Sequence, residues 1–208
     1  MSKIIIHGGF FLESSTNIET KIAKQQALLR IVKDSYAYLQ NHSALETVVY
    51  AVSQLEDDEL FNAGIGSQIQ SDGKIRMSAS LMDGESQKMS GVINIEEVKN
   101  PIQVAQVLMQ VDDRILGGSG ATNFARKHGF ESFSTEIPQR RAEYEAKLAS
   151  LGTGTVGCVA LDNNGKIAVA TSTGGKGFEI PGRISDSATV AGNYANEFCG
   201  VSLTGVGE

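Results

Sequence analysis

The chain has 208 residues, 41% of them hydrophobic, and carries 18 Lys and Arg against 24 Asp and Glu, a formal net charge of −6. This balance suits a globular chain that buries its own core; it excludes a disordered chain and a non-specific nucleic-acid binder, which needs a basic footprint. Two distant cysteines, Cys158 and Cys199, make no disulfide framework, no apolar run reaches membrane-spanning length, and no cleavage motif follows "MSKIIIHGGF", so a cytoplasmic protein with no membrane partner is expected.

In chain order, a strand is expected over Lys3–Ile6, ending in a Gly turn at Gly8 and Gly9. Helical spacing follows over Ile18–Leu39, with Ile22, Leu28, Leu29, Val32, Tyr36 and Leu39 on one apolar side. A second helix is predicted over Ser43–Leu55, with Ser43 and Glu46 forming a capping box. The run "LEDDELFNAGIGSQI" reads as an acidic loop with a Gly-bearing turn. Asp72-Gly73 predicts a hairpin between two short strands, and "MSGVINI" a further strand. Pro101 opens a helix to about Val111; "RILGGSGATNFARKHGF" reads as strand, turn and helix, and Arg140–Ser150 as a charged helix. Strands over Val156–Leu161 and Lys166–Thr171 are joined by "DNNG", and the remainder predicts a loop, a short helix near Tyr194 and a last strand. The order points to mixed or antiparallel sheets covered by helices.

Gly152-Thr153-Gly154-Thr155-Val156-Gly157 reads as G-x-G-x-x-G. A dinucleotide site needs a strand before such glycines and a helix after them, so that helix N–H groups meet the pyrophosphate. Here the order is reversed. Gly118-Ser119-Gly120 has the right order but lacks the third glycine and reads as a helix-starting turn. A Gly–Thr bond at the mouth of a strand offers different chemistry. The threonine hydroxyl can attack the preceding carbonyl, and cleavage leaves a free α-amine with an ordinary pKa of about 7.7–8 beside that hydroxyl. Such an amine can serve the hydroxyl as general base.

Several segments resemble the plant-type L-asparaginase/isoaspartyl peptidase family of N-terminal-nucleophile hydrolases: "IIIHGG" (4–9), "LFNAGIGS" (60–67), "MDG" (82–84), "GTVGCVALDNNGKIAVATSTGG" (154–175), "GRISDSATVAGNYAN" (182–196) and "LTGVGE" (203–208). The resemblance implies an α+β fold, a four-layer αββα sandwich, in one domain over 1–208. Residues 1–154 match the α-subunit and 155–208 an incomplete β-subunit. It implies Thr155 as nucleophile, cleavage between Gly154 and Thr155, and Thr173 as a second hydroxyl beside it. Thr204 and Gly205 match the oxyanion hole. Arg183 and Asp186 match the clamp for the substrate α-carboxylate and α-ammonium, and Asn62 is expected near the site. The loop after the second helix matches a structural sodium loop, with backbone oxygens of Leu55, Glu56, Asp58, Phe61, Ala63 and Ile65. No catalytic cofactor is implied, and dispersed His7, His42 and His128 offer no transition-metal motif. The implied reaction is hydrolysis of L-asparagine or a β-aspartyl dipeptide through an acyl-threonine to give L-aspartate, by a homodimer of processed units.

The chain departs from the family's pattern in carrying Phe10-Phe11 after His-Gly-Gly, in Ser185 and Ala188, in a short linker before Gly154, and in ending at Glu208, which reads as a C-terminal truncation. Two alternatives stay open: an uncleaved homologue that only binds an amino-acid ligand, and a glycosylasparaginase. The second is disfavoured by Gly rather than Asp before Thr155.

Overall fold

The structure, a computed structural model, describes residues 1–9, 18–146 and 154–205. Phe10, Phe11, the stretch 147–153 and the end of "LTGVGE" lie outside the described residues. Among the described residues there are eight strands, β1 (Lys3–His7), β2 (Met77–Asp83), β3 (Met89–Ile95), β4 (Ile115–Gly117), β5 (Val156–Leu161), β6 (Ile167–Thr173), β7 (Asn193–Ala195) and β8 (Gly200–Ser202). Five helices accompany them: α1 (Ile18–Leu39), α2 (Ala44–Glu56), α3 (Pro101–Leu108), α4 (Gly118–Lys127) and α5 (Pro138–Glu145). Six strands form one sheet in the order β1-β5-β6-β2-β3-β4, antiparallel except for the β3–β4 pair, and β7 and β8 form a separate antiparallel pair.

Period-2 alternation assigns the two faces of this sheet. Val156, Cys158 and Ala160 of β5, with Ala168 and Ala170 of β6, join Ala79 and Leu81 of β2 in a core shared with α1–α4. The intervening residues Val159, Ile167 and Val169 face the other way and pack with Met82, Ala195 and Tyr194, beneath β7 and β8. The described residues therefore stack as helices, six-stranded sheet and two-stranded sheet, an α+β arrangement. The hairpin is central and buried on both sides, so its residues are small.

Local signals account for most elements. Ser43 caps α2, its Oγ accepting from Glu46 N while the Glu46 carboxylate accepts from Ser43 N. Pro101 stands at the first turn of α3, where its missing N–H costs nothing. The turn at Asp162–Gly165 closes with Asp162 N donating to Lys166 O.

Several expectations are corrected. Ile22, Leu29 and Tyr36 of α1 are exposed, and the buried line is instead Ala27, Ile31, Ser35 and Leu39. Small Ala27 and Ser35 allow the close approach that a count of large apolar residues overlooks. The helix opened by Pro101 ends at Leu108 rather than Val111, and the charged helix starts at Pro138. Residues 67–70 form no strand with β2. Gln68 and Ile69 instead pair with a distant loop, Gln68 N donating to Gly174 O and Phe178 N to Ile69 O, while Gln70 N closes a local turn on Lys74 O. Tyr194 lies in β7; the helical turn falls earlier, at Asp186–Ala188.

Glu56 ties the last turn of α2 to this scaffold. It is fully buried, and its Oε1 accepts from Ser172 Oγ at 2.6 Å and from Ile102 N at 3.1 Å, while Oε2 has no hydrogen-bond partner. Burial pushes its carboxyl up to about 8, against the opposing pull of those hydrogen bonds. Removing the acceptor strands two buried donors and opens a cavity. Glu56→Ala is therefore expected to lower the unfolding free energy by about 3 kcal/mol in urea titrations. Glu56→Gln keeps a carbonyl oxygen for both donors and is expected to cost less than half as much.

Candidate active site

Thr155 stands one residue ahead of β5, and Thr173 ends β6. The antiparallel register pairs Val156 with Ser172, so one step further Thr155 lies opposite Thr173. Both are 5% exposed. The backbone N–H of Thr155 donates to Thr204 Oγ1 at 3.2 Å, and Thr155 Oγ1 is 3.3 Å from Ser187 Oγ. Ser187 is itself held from β2, its carbonyl accepting from Ser80 Oγ at 2.6 Å. Sequence reasoning missed Ser187. It adjoins Asp186, but nothing in its spacing brings it to Thr155.

The glycines around Thr155 mark close approaches of backbone. Gly9 has φ +93, and a Cβ there would lie 2.4 Å from Gly154 Cα. The His-Gly-Gly segment therefore packs directly on the residue before Thr155. A Cβ on Gly157 would lie 2.0 Å from Ser202 Oγ and 2.5 Å from His7 Nε2. Gly154 and Gly157 of the G-x-G-x-x-G pattern thus serve close contacts with neighbouring segments; Gly152 lies outside the described residues.

Asn62 anchors the turn after Thr173. Its carbonyl accepts from Gly174 N at 2.8 Å, its Nδ2 donates to Gly175 O, and its Oδ1 accepts from Gln68 N at 3.1 Å. Gly175 N in turn donates to Thr173 Oγ1 at 3.2 Å. A Cβ on Gly174 would meet Ser67 Oγ at 2.3 Å, which explains the paired glycines.

Arg183 and Asp186 lie on the segment that delivers Ser187. Arg183 is partly exposed, and its backbone N–H donates to Ile180 O. Asp186 opens the helical turn, and its carbonyl accepts from Thr189 N and Oγ1. One carboxylate oxygen, Asp186 Oδ1, is buried without a hydrogen-bond partner. Gly205 follows Thr204 with open space where a Cβ would stand. Cys158 is fully buried, and desolvation raises its thiol far above the usual range, so it is an inert core residue.

The loop after α2 folds on itself through Ile65 N to Glu56 O and Phe61 N to Asp58 O. Gly64, at φ +54, brings its backbone against Glu56. The Asp58 carboxylate is engaged by Arg30 at 2.9 Å. Among the described residues no group of three or more His, Cys, Asp or Glu could hold a metal ion. One wide polar cleft, lined by Glu85, Asn164, Lys166 and Asn196 among others, opens at the turn end of the β5–β6 hairpin, remote from Thr155.

Comparison with known proteins bears on these residues together. The family described as asparaginase matches residues 1–150 and 133–208. An isoaspartyl peptidase/L-asparaginase of Synechocystis is 47% identical, the match covering 99% of this chain and 68% of that protein. A plant-type L-asparaginase of Pyrococcus furiosus is 37% identical, covering 100% of this chain and 75% of that protein. An isoaspartyl peptidase of Escherichia coli is 37% identical, covering 99% and 71%. A match of this extent, running through both the Thr155 hairpin and the segments around it, shows that the chain belongs to the asparaginase family.

Proposed function

We propose that this amide hydrolase cleaves its own chain between Gly154 and Thr155 and then hydrolyses L-asparagine, a β-aspartyl dipeptide or both with Thr155 as nucleophile. In the first step Thr155 Oγ attacks the Gly154 carbonyl carbon. The C–N bond breaks as the hydroxyl proton passes to the departing nitrogen, and water then hydrolyses the ester. Gly154 keeps a carboxylate and Thr155 gains a free amine. That amine next takes the Thr155 hydroxyl proton while Oγ attacks the substrate amide. Ammonia or an amino acid leaves with a proton, and water releases L-aspartate from the acyl-threonine.

The observation that carries this reading is the setting of Thr155 among hydroxyls. Its nitrogen is 3.2 Å from Thr204 Oγ1 and its side chain 3.3 Å from Ser187 Oγ. Thr204 accepts with a lone pair, so its own proton is left to donate to an oxyanion beside the Gly205 N–H. Thr173, across the hairpin, is a second hydroxyl for the reacting centre. The unpartnered Asp186 Oδ1 suits a substrate ammonium, and the Arg183 guanidinium suits its α-carboxylate. Asn62 supports the turn behind Thr173 rather than offering a free amide to the substrate. Because β5 is paired to β1 on one side and to β6 on the other, a break at residue 154 leaves both products interleaved in one sheet. The fourth, outer helical layer of the sandwich belongs to the same proposal.

A structural sodium ion fits the loop after α2 in donor chemistry. The carbonyls of Leu55, Glu56, Asp58, Phe61, Ala63 and Ile65 are the hard, neutral oxygens such an ion takes, and each carbonyl retains a lone pair beyond any loop hydrogen bond. We propose it as a stabiliser of the loop that leads to Asn62. A cytoplasmic homodimer of processed units completes the reading. Exposed Phe198, Val201 and Leu203 support an association surface.

Incubated protein is expected to give two fragments by intact mass spectrometry, meeting at Gly154/Thr155, and to release ammonia from L-asparagine or aspartate from β-aspartyl dipeptides. Thr155→Ala is expected to stay whole and lose both activities. A wild-type chain that persists intact, yet binds aspartate by calorimetry, favours the binding-only alternative. Arg183→Ala is expected to raise KM between about tenfold and a hundredfold, the worth of a charged hydrogen bond, with self-cleavage unchanged.

A further inference from the structure

A chain of polar side chains, half-buried at His7 and Ser202 and buried at Thr171 and Asn193, runs from β1 to β7 beneath the candidate site, and none of its members has been given a chemical role. His7 Nε2 is 2.9 Å from Ser202 Oγ, Ser202 Oγ is 2.8 Å from Thr171 Oγ1, and Thr171 Oγ1 donates to Asn193 Oδ1 at 3.1 Å. We propose that His7 is a positioning residue, which as the neutral Nε2–H tautomer holds Ser202 and so fixes where Thr204 meets Thr155. The proposal rests on the reading of Thr155 and Thr204 given above.

Proton counting sets the direction of the chain. The Asn193 amide turns its oxygen to Thr171 and leaves its buried Nδ2 without a partner among the described residues; in that orientation the oxygen only accepts, and the single hydroxyl proton of Thr171 is committed to it. Thr171 Oγ1 must then accept the Ser202 proton. Ser202 Oγ, with its proton spent, must accept from His7, which requires a hydrogen on Nε2. Among the described residues His7 Nδ1 is buried without a hydrogen-bond partner, so a second ring proton would be poorly solvated. Burial accordingly lowers the His7 pKa, against a smaller opposing contribution from the Thr155 backbone.

The path from His7 to Thr155 is short. His7 pairs with Gly157 in the β1–β5 ladder. Only a glycine there lets the ring pass over β5 to Ser202, since a Cβ would lie 2.5 Å from Nε2. Thr204 follows Ser202 by two residues. Strand β8 has three residues, and Val201 and Leu203 point to solvent, so apolar burial holds it weakly. The ladder to β7, the polar chain through Ser202 and the backbone bond from Leu203 N to Gly192 O at 2.9 Å restrain it instead.

Two side chains separate this role from simple space-filling. The amide nitrogen of a glutamine reaches about where histidine Nε2 lies, and that of an asparagine only as far as Nδ1. His7→Gln is expected to keep self-cleavage and kcat within about twofold. His7→Asn and Ser202→Ala are each expected to lower both by about tenfold, one hydrogen bond's worth, with KM little changed and the double variant no worse than either single one. Nitrogen-15 NMR of histidine-labelled protein, with His7 assigned by its loss in His7→Gln, is expected to report the neutral Nε2–H tautomer at pH 7. An Nδ1–H tautomer, an imidazolium, equal behaviour of the Gln and Asn variants, or additive losses in the double variant would each overturn the proposal. If the wild-type chain neither cleaves nor hydrolyses, the reading of Thr155 fails by itself. The tautomer and the thermal-unfolding cycle of His7→Asn with Ser202→Ala still judge the His7–Ser202 contact.

Discussion

The β5–β6 hairpin must fill two layers at once. One face meets the helices through Val156, Cys158, Ala160, Ala168 and Ala170; the other meets the second sheet through Val159, Val169 and Thr171. Both faces are close-packed, so neither tolerates bulk. This limits the polar groups that can sit at the open end of the hairpin to short ones. Hydroxyls satisfy the limit because they are small and can both donate and accept. Ser172 answers Glu56 on the helical face, while Thr171 answers Ser202 on the other. Thr155 and Thr173 continue the same pattern where the strands meet the surface.

Features carried by adjacent residues were legible in the sequence. The capping box of α2, Pro101 at the start of α3, and the "DNNG" turn are local chemistry, and each stands where its pattern predicted. The placement of Thr155 opposite Thr173 follows from extending the hairpin register by one residue. Contacts between segments distant in the chain were not legible. Ser187 reaches Thr155 because a loop crosses β2, and backbone partners of Gln68, Ile69 and Ser71 come from 174–179, which no short-range pattern encodes. Tyr194 illustrates another limit. Three residues suffice for a strand when a partner strand supplies the hydrogen bonds, and too few alternations remain to distinguish strand from helix.

The glycines divide in the same way. Gly165 closes a turn and is read from its neighbours. Gly9 and Gly157 are required by what lies across from them: the Gly154 backbone in one case, a histidine and a serine in the other. Gly154 and Gly157 belong to a run that resembles a phosphate loop in sequence, and close backbone approach is the physical demand in both settings.

The same geometry bears on why a threonine in this position would have to make its own base. The hydrogen bond of Thr155 Oγ1 goes to another neutral hydroxyl, Ser187, and the imidazole of His7 is engaged by Ser202. A neutral hydroxyl is a poor proton acceptor, so the intact chain gives Thr155 little activation. Cleavage at Gly154 would change this without rebuilding the site. A free amine would replace an amide nitrogen at the same position, where Thr204 Oγ1 already accepts its hydrogen bond. The amine would be partly unprotonated at neutral pH because its ordinary pKa is about 7.7–8. The strand pairings on both sides of β5 would hold that nitrogen and hydroxyl in register if the bond ahead of them were lost. A catalytic base would thus arise from a single covalent change in a packed scaffold too crowded to admit one as a side chain.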